Sequence, residues 1–444
     1  MTSRRAYCEG LTCDVEWRPI GDRAVTGRRF LASCLLVALL LEVGPSARLS
    51  AAQKLHVDPN FIYDYNDTVL RRFPTRTGGA GTGPFGTPAD NVFRLSHDNY
   101  AKKVVADLES LIAPLELSGA YAETRGFIDA EGSGFANIVA LIPGSDPVLK
   151  NEYVVVGGHY DCTPTTVDGA IDCGMQVALT MGIVKAFVDY YQQTGKRPQR
   201  SLMVFLPDGE EHLLFGSVGF TTTDVYKGTA HLELPPQASV VAYHDTDMIG
   251  ANYPGRFLGR SDLDFMPLNS FSAPSYDDEG SPGARLTRAW QPYTPSISYK
   301  AKYADYRLAM KGARDRLFTD MRTDFGHTSF QHRDGQTRPL FTDSQKKYIN
   351  IIDDPLDRSD HSVFILQGVP AEINIGLGDP DTDAPGLLSY HDPGESLEFL
   401  NYMYSGQTAK APETLLGIET AAMWVAYQMG ANHAEAESYF LGEM

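Results

Sequence analysis

A chain of 444 residues with 43% apolar and 21% charged residues has the make-up of a folded globular protein, which excludes widespread disorder. Its formal charge is −18, and because residues 1–52 hold seven Arg against five acidic residues, the remainder carries about −20. That balance excludes a basic nucleic-acid groove and favours cationic or amine-bearing ligands.

The chain opens on a targeting segment. Arg28-Arg29 precede an apolar run from Phe30 to Val43, and Ser50-Ala51-Ala52 supplies the small residues of a cleavage site. At 14 residues the run is too short to span a bilayer. Residues 1–52 therefore read as an export signal and leader, and residues 53–444 as one domain. The mature protein is expected to be periplasmic or secreted, with no stable membrane span. Loss of the leader leaves Cys162 and Cys173 of the five cysteines. In an exported protein such a pair reads as a disulfide, as two free thiols, or as the source of a thiolate zinc ligand.

Residues 53–96 are polar and rich in Gly and Pro around Gly78 to Pro88, as in a surface arm, and Ser96 to Leu117 has helical spacing. Asn137 to Ile142 reads as a strand ended by Pro143-Gly144, and Tyr153 to Val156 as the next. Beyond Asp172, the residues Val177, Met181, Val184, Val188 and Tyr191 recur in steps of four and three, which predicts a helix closed by Gly195 and Pro198. Leu202 to Leu206, Ser239 to Tyr243 and Ala371 to Ile375 are further strands, and Ile418 to Met429 a last helix. Strands alternating with helices predict a three-layer α/β/α fold around a mixed, mainly parallel central sheet. Between residues 251 and 351 the pattern loosens, and this stretch reads as an insertion.

Chemistry-bearing residues follow the apolar strands. Gly158-His159-Tyr160-Asp161 comes after one, Gly169-Ala170-Ile171-Asp172 soon after, and Asp208-Gly209-Glu210-Glu211 after another. Parallel sheets place functional residues in the crevice beyond their strand carboxyl ends. Imidazole nitrogen and carboxylate oxygen suit zinc, and a neighbouring free carboxylate can take a proton from water that a metal acidifies. No Gly-x-Ser-x-Gly elbow and no His-Glu-x-x-His helix signature is present.

Those three groups, with Leu214-Phe-Gly216-Ser217, Asp247-Met-Ile-Gly250, Ser359-Asp-His361 and Tyr390-His391, resemble the co-catalytic zinc aminopeptidases. That family includes bacterial leucine aminopeptidases and aminopeptidase Y and, more distantly, glutaminyl cyclases and the transferrin receptor. The resemblance implies the zinc-peptidase (phosphorylase/hydrolase-like) architecture and two zinc ions per chain. By it, His159 and Asp247 bind one zinc, Glu211 and His391 the other, and Asp172 bridges both. Glu210 is the implied general base, and Tyr390 offers its hydroxyl to the developing oxyanion. Asp161 orients His159 through the ring nitrogen not on zinc, and His361 belongs to packing around the site. Peptides are the implied substrates. Family structures have a cis peptide after the bridging Asp, where this chain carries Cys173 in place of the usual Asp or Asn, with Met175-Gln176 replacing the Ser-Gly that commonly follows. Two other functions share these motifs: a one-zinc glutaminyl cyclase and a catalytically inactive binding homologue.

Overall fold

The structure is a computed structural model of the chain. It describes residues 53–79, 81, 86–128, 133–166, 168–221, 239–249, 268–272, 297–331, 335–353, 359–366, 369–375, 391, 393–405, 407–433 and 437–444. The leader and Tyr390 lie outside these residues.

The strands are β1 (Tyr121–Ile128), β2 (Gly134–Ile142), β3 (Glu152–Gly157), β4 (Ser201–Leu206), β5 (Ser239–Asp247), β6 (Leu268–Ser272), β7 (Ser329–Gln331), β8 (Thr337–Pro339), β9 (Ile349–Asp353) and β10 (Ala371–Ile375). Eight of them form one sheet in the order β1-β2-β4-β3-β5-β10-β6-β9, while β7 and β8 pair as a separate hairpin. The junctions β4-β3, β3-β5, β5-β10 and β6-β9 are parallel; β1-β2, β2-β4 and β10-β6 are antiparallel. The sheet is thus mixed and mainly parallel, as the alternation of elements implies.

Apolar residues cover both faces, which is why the central strands read as unbroken apolar runs. Alternate side chains of β3 enter opposite cores: Val154 and Val156 join one, Tyr153 and Val155 the other. The first core also takes residues of α1 (Pro59–Tyr65), α2 (Val92–Ile112), α3 (Gly174–Thr194), α5 (Ile297–Thr323) and α8 (Pro412–Gln428). The second takes Phe220, just after α4 (Phe215–Gly219), Tyr306 and Met310 of α5, and Phe364 of α6 (His361–Leu366). A short helix α7 (Leu397–Ser405) precedes α8.

Several elements differ from the sequence reading. Helix α2 starts at Val92 because Asn91 caps it, its Oδ1 accepting the Phe93 N–H at 2.9 Å; it gives way to a tight turn through Pro114 before Leu117. Strand β1 was not anticipated, and neither was α5. Strand β6, inside the stretch read as an insertion, and β9, which crosses its end, are strands of the main sheet. Helix α3 ends where expected, at Gly195, whose φ of +70° suits the left-handed cap.

Candidate metal centre

Parallel strands β3, β4 and β5 deliver the site. Beyond β3, Gly158 lets the backbone pass so close to β5 that a Cβ there would sit 1.9 Å from the Thr246 carbonyl oxygen. The next residue, His159, is 1% exposed. Its Nδ1 lies 3.0 Å from the backbone oxygen of Asp161. A carbonyl oxygen can only accept, so Nδ1 carries the hydrogen and the ring's other nitrogen is left to the site. That Nε2 faces Asp172 Oδ1 at 3.1 Å and Asp247 Oδ1 at 3.6 Å.

A second group shares Asp172. His391 Nε2 lies 3.2 Å from Asp172 Oδ2 and 3.1 Å from Glu211 Oε1. The two oxygens of Asp172 therefore face different imidazoles. Glu210 completes a third set with His159 and Glu211, one ligand atom of each lying within 4.8 Å of the others.

These residues fit zinc. Four ligands about 2.0–2.1 Å from a tetrahedral zinc lie roughly 3.3 Å from one another, and the nitrogen–oxygen separations here are 3.1, 3.6, 3.2 and 3.1 Å. Asp172 Oδ1 and Glu211 Oε1 are buried yet accept no aligned hydrogen bond. Each of these buried acceptors faces an imidazole nitrogen, Asp172 Oδ1 that of His159 and Glu211 Oε1 that of His391, and a cation between nitrogen and oxygen would satisfy both.

The electrostatics of the cluster point the same way. Burial would lower the pKa of His159, but Glu210, Asp161, Asp172 and Asp247 outweigh it and raise it well above the usual imidazole range. Burial likewise opposes the charge on His391, yet Asp172 and Glu211 push its pKa up to about 10. Asp172 is held down at about 2 by His159 and His391 despite its burial. Burial and the charge of Asp172 lift Glu211 to about 7. Glu210 is raised well above a normal carboxyl, first by burial and then by Glu211, Asp247 and Asp360, with His159 opposing.

Asp161 meets the His159 ring at Nδ1, the nitrogen turned away from the other ligands, and also reaches Glu210. Asp161 holds the His159 ring through its main-chain oxygen, whereas its carboxylate Oδ1 lies 3.6 Å from Nδ1 and instead accepts the Glu210 N–H at 3.1 Å. The carboxylate thus positions the Glu210-Glu211 turn. His361 stays out of the cluster: its backbone N–H donates to Asp245 Oδ2 at 2.9 Å, and its Nδ1 lies 3.5 Å from the same oxygen. The Asp172–Cys173 peptide is cis. Cys162 and Cys173 are buried free thiols with sulfurs 3.0 Å apart.

Glu395 and Arg76 escaped the sequence reading, as did the supporting role of Gln176, which stands out there only as a departure from the family pattern. The buried Glu395 accepts the N–H groups of Ile171 at 3.2 Å and Asp172 at 2.5 Å. Gln176 spans the two halves, donating to the His159 carbonyl at 3.1 Å and accepting from Met248 N at 3.0 Å. Arg76 lies buried beneath the cysteines, donating to Gly169 O at 3.0 Å and Cys173 Sγ at 3.4 Å.

Residues 137–278 match the model of peptidase family M28. That segment belongs to the family. The M28 segment holds His159, Asp172, Glu210, Glu211 and Asp247. A vacuolar membrane protease of Tuber melanosporum (strain Mel28) is 38% identical over 91 residues, which are 20% of this chain and 9% of that protein. A vacuolar membrane protease of Lodderomyces elongisporus is 31% identical over 91 residues, with the same shares. The chain therefore matches only 9% of the length of these curated relatives. Among solved structures, a Tannerella forsythia glutaminyl cyclase has a TM-score of 0.47 at 16% identity, covering 84% of this chain and 99% of that one. The Legionella pneumophila LapA aminopeptidase has a TM-score of 0.46 at 10% identity, covering 92% and 77%. Among the described residues, no helix is long and apolar enough to cross a membrane.

Proposed function

We propose that this M28 protein is an exported metallo-aminopeptidase that removes N-terminal residues from peptides. The observation that carries the reading is the pair of buried ligand sets joined through the two oxygens of Asp172, with Glu210 beside them. His159 and Asp247 would hold one zinc, Glu211 and His391 the other, and Asp172 both. Two zinc ions, when bound, polarise the scissile carbonyl and make water a better acid.

The chain's own groups do the rest. Glu210 takes the proton of the attacking water and passes it to the leaving amine. Burial and the neighbouring acidic groups raise its pKa above that of an ordinary carboxyl, which makes its carboxylate the stronger base. Asp161 fixes the backbone of Glu210 and so aims its carboxylate. The acidic character of the site favours a substrate end that carries an ammonium group.

The test is elemental analysis joined to turnover of a panel of amino-acid nitroanilides by the parent and by Glu210→Gln. The reading expects two zinc per chain, and a loss of roughly 10²–10⁴-fold in the variant with zinc retained. One zinc per chain, unchanged after reconstitution, points instead to a glutaminyl cyclase. Full metal without turnover of any peptide or N-terminal glutamine substrate points to a binding homologue.

A further inference from the structure

Far along the sequence from these residues, two imidazoles converge on one carboxylate. His56 Nε2 lies 2.6 Å and His327 Nε2 2.8 Å from the same oxygen, Glu419 Oε1, and all three ligand atoms lie within 4.8 Å of one another. His56 is on the strap that leads into α1, His327 follows α5, and Glu419 is in α8. None of the three belongs to the cluster around Asp172. We infer that His56, His327 and Glu419 form a second, peripheral binding site for a divalent transition metal such as zinc.

The donor set is the first argument. Two imidazole nitrogens and one carboxylate oxygen make a competent zinc site whose remaining position is open to water or another ligand. With side-chain exposures of 41% and 27%, His56 and His327 face solvent, whereas Glu419 is only 7% exposed. An ion can therefore enter from solvent and meet a carboxylate fixed in the wall.

Preorganisation is the second. Asn432 clasps Leu55, accepting its N–H at 2.8 Å and donating to its carbonyl at 3.0 Å, and so fixes the residue before His56. The His56 ring stacks on Phe325 with centroids 4.6 Å apart, and the His327 ring packs against Phe341 at 6.2 Å. The His327 N–H donates to Met321 O at 2.8 Å. Both rings are thus steered, with Nε2 directed at Glu419. The nitrogen–oxygen separations are shorter than the roughly 3.3 Å edge of a tetrahedral zinc site, by about 0.7 Å for His56 and about 0.5 Å for His327. The exposed His56 ring has room to make that adjustment. A bound ion would clamp the strap to the last helix, beside the Lys54 ion pairs with Asp320 (2.5 Å) and Asp324 (2.8 Å).

Zinc stoichiometry tests this independently of catalysis. The full chain, stripped with chelator and dialysed against zinc, should hold one equivalent more than His327→Ala. Zinc should raise the parent's melting temperature more than the variant's. Affinity at this site should fall by more than the roughly 10–100-fold typical of losing an outer-shell partner. His327→Gln, which keeps a donor for Glu419 but lacks the imidazole, guards against misfolding, with circular dichroism as the check. Equal zinc content in the parent and a folded His327→Gln would overturn the proposal, whatever the metal content of the other cluster. Nitroanilide turnover, if present in the parent, should be the same in the variant.

Discussion

The side chain on which the site turns is Asp172, and it depends on a residue that touches no substrate. Glu395 gathers the N–H groups of Ile171 and Asp172 with one buried oxygen. Its own pKa is raised well above the usual range by burial and by the nearby charge of Asp172. Glu395→Ala would leave two buried donors without that acceptor, at about 1–3 kcal/mol each, and would free the backbone that aims both Asp172 oxygens. Zinc affinity should fall by roughly 10–100-fold, as for other outer-shell losses, while Glu395→Gln, which keeps a carbonyl acceptor, should recover most of it. Competition with a chromogenic chelator measures this. Unchanged affinity in Glu395→Ala would remove Glu395 from the support of the site.

At the scale of elements, α2 is tied to the turn that carries Glu210 and Glu211. His97 of α2 is fully buried, stacks on Tyr160 with centroids 4.8 Å apart, and pairs through Nε2 with Asp208 Oδ1 at 2.9 Å. Asp208 Oδ2 accepts the Ala136 N–H at 2.8 Å, so one carboxylate links α2, β2 and the end of β4. Burial would lower the pKa of His97, but Asp208 and Asp98 raise it to about 9, with Arg94 opposing. A raised histidine contributes stability that is fully present below its unfolded pKa near 6.5 and lost as pH climbs through about 9. At 1.36 kcal/mol per unit the amount is on the order of 3 kcal/mol. Urea unfolding at pH 6 and pH 10 should show the parent losing that much more stability than His97→Gln. Equal losses would mean that the pair is not charged.

The elements legible in the sequence were those buried on both sides. Val154 to Val156 and Leu202 to Leu206 are continuous apolar runs because two cores need them, and the motif residues stand out because they directly follow such runs. Strand β1 hid because it lies at the sheet edge, paired only with β2, where Glu123 and Arg125 interrupt its apolar residues. Helix α5 carries the right spacing in Tyr306, Met310, Ala313, Leu317 and Met321, but many charges lie between them. Glu395 and Arg76 could not be found this way. Each is a lone residue whose importance comes from where another segment happens to fold.

Across the whole molecule, the buried strap around Leu55 and Val57 limits how much processing can remove without loss of stability. Cleavage after Ala52 would free Gln53, only two residues ahead of Leu55, which is 1% exposed. Val57 is fully buried, with its N–H on Met423 Sδ at 3.3 Å, and Lys54 reaches Asp320 and Asp324. A cut there keeps the docked strap, whereas a cut a few residues later would destroy it. Burying a Leu or Val side chain is worth about 1.5–3 kcal/mol each, so a chain beginning at Asp58 should be less stable by about 3–6 kcal/mol than one beginning at Gln53. N-terminal sequencing of exported material is expected to read from Gln53 or a neighbouring residue, and melting of the two truncated forms should separate them clearly. Intact leader on active cytosolic protein would sink the export proposal. Equal melting temperatures would show that the strap contributes nothing to the fold.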